Sequence, residues 1–166
     1  IILTIVLLAI LYTSFIPKFK INNFEELANR ISLYISFVRY KALIDDKYNP
    51  NDNSWYKKRW TLKFFRCRDD EDGIYYSIYS DNNESGIPSS EDSLKDPLTQ
   101  KNIFSSNYCK ENNTNSKYVL LTKNYGIKDV KISCNETSSL GQLSFGSDGK
   151  IYSRLSANPN EEYKYE

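Results

Sequence analysis

The first sixteen positions, Ile1 to Ile16, are apolar on every side of a helix, with Thr4, Tyr12, Thr13 and Ser14 as their polar content and no charge. From Asn22 the pattern becomes apolar on one face. Phe24, Leu27, Ala28, Ile31, Tyr34, Ile35, Val38 and Ala42 fall at helical spacing, while Glu25, Glu26, Asn29, Arg30, Ser32, Arg39 and Lys41 take other faces. The pattern predicts one bent helix from near Ile1 to about Ile44. Its irregularity belongs at Pro17, whose ring removes a donor and crowds the preceding turn.

After Asp45 the helical period disappears. DDKYNPNDNS is rich in turn formers, and the chain then favours β structure. Lys58 to Arg68 and Gly73 to Ser80 predict a hairpin across the acidic turn DDEDG. Residues 82–102, mostly Ser, Asn, Asp, Glu, Gly and Pro, predict a long irregular loop. Tyr118–Thr122, Val130–Cys134, Leu140–Phe145 and Ile151–Leu155 predict shorter strands, the last two joined by GSDGK. One long helix followed by strands, without alternation, indicates an α+β fold with a small antiparallel sheet.

This divides the 166 residues into an apolar half-helix (1–21), an amphipathic half-helix (22–47) and a β domain (48–166). The helix stripe Phe24, Leu27, Ile31, Ile35, Val38 and Ala42 is expected to pack on Trp60, Leu62, Ile78, Val119, Leu121 and Phe145.

Charge and composition remove several functions. The 22 basic and 21 acidic residues are interspersed, so no basic patch argues for nucleic acid, and the aromatics sit where strand packing accounts for them. There is no His, which excludes His-based triads and Cys/His zinc patterns. Asp69, Asp70, Glu71 and Asp72 do not have the spacing of a calcium loop and are read as a solvated turn. No catalytic residue, cofactor site or metal site is expected, and the chain is not read as an enzyme.

Three pairings of Cys67, Cys109 and Cys134 are open. The expected one is Cys109 with Cys134, which would clip the intervening loop and strands, leaving Cys67 reduced inside an apolar strand.

Sixteen helical residues cover roughly 24 Å, short of the roughly 30 Å hydrocarbon core, so further apolar residues are expected upstream. A cleaved signal peptide has an apolar region of this length, but PKFKINNF offers no small-residue cleavage site, and a retained anchor is the expectation.

The run IILTIVLLAILYTSFIPKF resembles the N-terminal helix of type IV pilin-like proteins, in which an apolar stretch ends in a proline followed by a basic or polar residue and Phe. ELANRISLYISFVRYKALIDD resembles the following helix segment of H-type minor pseudopilins and their pilus and competence relatives, including an Arg and Ala near the helix end, here Arg39 and Ala42. LSFGSDGKIYS resembles their late hairpin, and KKRWTLKF and IYYSIYSD resemble pilin-like proteins of Campylobacter-type bacteria.

The resemblance implies a minor pseudopilin or pilin subunit, without substrate or cofactor, that assembles into a periplasmic filament of a type II secretion, type IV pilus or competence machine. It implies a processing site for a prepilin peptidase, a methylated Phe and an acidic residue, all upstream of Ile1. Ile1, Ile2, Leu3, Ile5, Val6, Leu7, Leu8, Ile10, Leu11, Phe15 and Pro17 would then form the membrane and assembly helix. Partners would be other pilin or pseudopilin subunits and the inner-membrane assembly platform. The protein would be single-pass in the bacterial inner membrane, with its C-terminal domain in the periplasm and the 82–102 loop as exposed variable surface. The alternatives are a membrane-anchored periplasmic binding domain that does not polymerise and, more remotely, a secreted enzyme.

Overall fold

The computed structural model describes residues 23–68, 73–132 and 140–152. Within them the helix α1 spans Asn23–Ile44, and a single 3-10 turn, Trp55–Lys58, leads into the sheet. The sheet consists of β1 (Trp60–Arg66), β2 (Ile74–Tyr79), β3 (Gln142–Phe145) and β4 (Ile151–Tyr152), in the order β2-β1-β3-β4 with every pair antiparallel. The fold is α+β, a helix packed on a small antiparallel sheet. The portion of the expected helix before Asn23, including Pro17, lies outside the described residues.

Strand alternation decides which side chains meet the helix. The register pairs Leu62 with both Ile78 and Leu143, Phe64 with Tyr76, and Trp60 with Phe145, so these residues share one face. They form one core with Leu27, Tyr34, Val38 and Ala42 of α1. The other face carries Thr61, Lys63 and Phe65 opposite Tyr79, Ser77 and Tyr75. There Thr61 and Ser144 hydroxyls meet at 2.8 Å and Phe65 stacks on Tyr75 at 5.1 Å.

The helix stripe is placed largely as expected. Leu27, Val38 and Ala42 are buried, Ile31 and Ile35 are half-buried against the core, and their expected partners Trp60, Leu62, Ile78, Val119, Leu121 and Phe145 all belong to that core. Phe24 is a correction: it is 65% exposed. It lies on the correct side of the helix but one turn beyond Leu27, the first stripe residue that the β domain buries.

The expected strand at Tyr118–Thr122 is also corrected. The segment folds as a 3-10 turn, Lys117–Val119, followed by α2, Leu121–Tyr125, which ends at Gly126 in the left-handed region (φ +70°). The physical reason lies at the sheet edge. Residues 92–103 already occupy the C-terminal half of the outer side of β2, where Ile78 N–H donates to Ile103 O (2.9 Å) and Ile78 O accepts from Leu94 N–H (2.8 Å). Residues 118–122 therefore pair with β2 only at its start, through a single Leu120–Tyr75 bridge and the Ile74 N–H donated to the Thr122 hydroxyl (2.8 Å). The apolar residues Val119, Leu120 and Leu121 are therefore buried as a plug beside that edge, and their β propensity is overridden. Val130 to Ile132 carry no strand, and the rest of that expected strand lies outside the described residues. The 82–102 loop is irregular, as expected. It is more than exposed surface, because its Leu94 and Asp96 are buried and its second half shields the β2 edge.

The disulfide differs from expectation as well. Cys67 is bonded to Cys109, with Cα atoms 5.7 Å apart. Arg68 N–H donates to Asn107 O at 2.6 Å, laying the loop beside the end of β1 and bringing these two cysteines within bridging distance. Cys109 is thus unavailable to Cys134, which lies outside the described residues.

Candidate functional site

The α1 helix carries a second apolar stripe on the side away from the sheet. Leu33, Tyr40 and Ile44 are 47%, 56% and 59% exposed, and Phe37 among them is half-buried where the stripe meets the core. Their positions, i, i+4, i+7 and i+11, place all four on one face of a 3.6-residue helix, and exposed Leu43 flanks them. Along the sequence this stripe does not stand apart from the buried one. Its signal was present in the spacing, but it was masked because the two stripes share the same residue types.

The buried side of α1 is fixed by polar groups as well as packing. The Tyr34 hydroxyl donates to Asp96 Oδ2 at 2.8 Å, and both residues are fully buried. Asp96 also accepts the Leu98 N–H and the Thr99 hydroxyl. Burial disfavours its charge, but those donors outweigh it and hold the carboxyl below the usual range. Burial pushes the Tyr34 phenol up to about 12. Arg30 sits 3.6 Å over the Tyr118 ring and bonds Glu26 at 3.3 Å. Burial works against the Arg30 charge, yet its bonds to Tyr34 and Glu26 raise the guanidinium above its ordinary value.

At the C-terminal end of α1 a cavity of about 310 Å³ is lined by Asp45, Asp46, Lys47, Tyr48, Trp55, Arg59, Trp60, Asp148 and Tyr152, among others. Trp60 Nε1 donates to Asp45 at 2.8 Å, and Lys47 pairs with the same carboxylate at 2.9 Å. The Arg59 guanidinium lies 3.7 Å from the Tyr152 ring centre and 4.7 Å from that of Trp55, and burial pushes its pKa down. The chain's own cations thus cover these aromatic faces, so the cluster joins the helix end, the connection and the β3–β4 hairpin. A second junction is Lys58, bonded to Asp52 (2.7 Å) and Glu84 (3.1 Å), which ties the 82–88 turn to the start of the sheet. On the sheet's far face, Phe65, Tyr75, Ile87, Pro88 and Phe104 line a more apolar cavity of about 410 Å³.

Among the described residues no group of Cys, Asp and Glu is arranged to hold a metal ion, and no helix is long and apolar enough to cross a membrane. The expected membrane and assembly residues, Ile1 to Pro17, and the Asp69–Asp72 turn lie outside the described residues. No protein-family model matches the chain, and comparisons with curated proteins and with solved structures returned no match.

Proposed function

We propose that this protein is a pilin-like subunit, of the minor pseudopilin or minor pilin type, that acts by assembling through its N-terminal helix with other pilin-like subunits. The observation that carries the reading is the two-faced α1. One stripe fastens the helix to its own sheet, and the opposite one, exposed at Leu33, Tyr40 and Ile44, is left for a neighbour. In sequence this helix follows the uncharged run Ile1 to Ile16, a segment suited to exchanging lipid for protein neighbours. The intrachain disulfide favours an oxidising compartment such as the periplasm.

In this reading the β domain is a periplasmic head, anchored in the inner membrane until the subunit is drawn into a filament. The test removes the acidic residue that the pilin resemblance places upstream of Ile1, in the protein as its own bacterium makes it. Membrane insertion should persist while filament incorporation or secretion is lost. A variant that inserts and retains full activity rejects the pilin-like reading and favours a membrane-anchored binding domain.

A further inference from the structure

The seam between α1, β2 and α2 contains three polar atoms that are shut off from solvent and have no hydrogen-bond partner in the protein: Arg30 Nε, Tyr76 Oη and Tyr125 Oη. They belong to one neighbourhood. Tyr34 bonds to Arg30 Nη1 at 3.5 Å and packs its ring 6.2 Å from that of Tyr76. Tyr125 is in contact with Arg30, whose charge and hydrogen-bonding approach favour the phenolate against the burial that raises it, yet that approach falls short of the geometry that would satisfy the Tyr125 hydroxyl. One orphaned polar atom in a core is a cost a fold can carry, but three in one seam describe a site, because buried polar groups are almost always satisfied by protein or by ordered water.

We infer that Arg30 Nε, Tyr76 Oη and Tyr125 Oη share internal water, bound in the seam where the helix meets the head. Arg30 offers a donor and each phenol offers both a donor and acceptor lone pairs, the two to four partners that a buried water requires. Charge selects water over an anion. The Arg30 cation is already answered by Glu26, and Asp96 adds a second carboxylate through Tyr34, so a further negative charge would meet repulsion. At this point the helix is held to the head by a hydrogen-bonded relay, whereas at Val38 and Ala42 the contact is apolar packing.

An experimental structure of the whole chain in detergent, at a resolution that shows ordered water, tests this directly. Water within hydrogen-bond distance of at least two of the three atoms is expected, and a dry seam overturns the inference. Tyr76→Phe supplies an independent reading, since it conserves the ring and removes only the hydroxyl. If the hydroxyl holds water, the variant melts at a lower temperature. If the hydroxyl is unsatisfied, removing it raises the melting temperature or leaves it unchanged, and either result overturns the inference.

Discussion

Tyr34 on the helix and Asp96 in the long loop, 62 residues apart in sequence, meet in a 2.8 Å hydrogen bond with both side chains fully buried. The bond ties α1 to the same loop that covers the outer edge of β2. A single contact therefore couples the helix, the loop and the protected sheet edge.

That coupling predicts a pH dependence. Asp96 has its carboxyl held below the usual range, so its contribution is fully present above the unfolded-state value of about 3.9 and is lost as pH falls through the lower folded value. Stability to urea should decline below about pH 4, and Asp96→Asn should flatten that decline. The phenol has the opposite sign. With Tyr34 raised to about 12, its contribution is present below the unfolded value of about 10 and is lost as pH climbs through the folded one. Tyr34→Phe should cost roughly 1.5–3 kcal/mol at neutral pH, the range for a hydrogen bond to a charged group.

The disulfide makes a separate prediction. Peptides containing Cys67 and Cys109 should be found linked in a digest made without reduction, whereas a Cys109–Cys134 link would contradict the structure. The bond closes a loop of 42 residues of sequence separation. Chain entropy assigns such a loop roughly 4 kcal/mol, so Cys67→Ala with Cys109→Ala should lower the urea midpoint markedly.

The two ends of the helix stripe should differ in cost. Val38→Ala removes methyl groups from a site with no exposure and should destabilise by roughly 2 kcal/mol. Phe24→Ala, at an exposed position, should stay within about 0.5 kcal/mol. Equal costs in equilibrium unfolding would mean that the head covers the helix differently.

The parts of this fold that were legible in the sequence are those set by local period. The 3.6-residue recurrence from Leu27 to Ala42 marked the packed helix face, and alternation at Trp60, Leu62 and Phe64 marked a strand with its core side. What was not legible depends on where distant loops travel. Tyr118 to Thr122 has strand composition, but residues 92–103 hold the β2 edge at Ile78 and leave this segment a single bridge, Leu120 with Tyr75. Cys67 looked like a buried thiol because nothing local announces that a loop 42 residues on returns past the end of β1. The outward stripe was readable in principle, since Leu33, Phe37, Tyr40 and Ile44 keep helical spacing. A helix with two apolar stripes, however, blurs the contrast by which either is recognised.

The most direct measurement of the assembly claim uses that outward stripe. Leu33→Glu with Tyr40→Glu changes exposed side chains to good helix formers and should leave folding of the head within about 0.5 kcal/mol per site. The double variant is made in the full-length protein in its native host, and membrane insertion and filament incorporation are measured side by side. The account predicts insertion at the wild-type level with incorporation reduced at least about tenfold, the equivalent of roughly 1.4 kcal/mol of lost subunit contact. Incorporation at the wild-type level, with both glutamates in place, would contradict it.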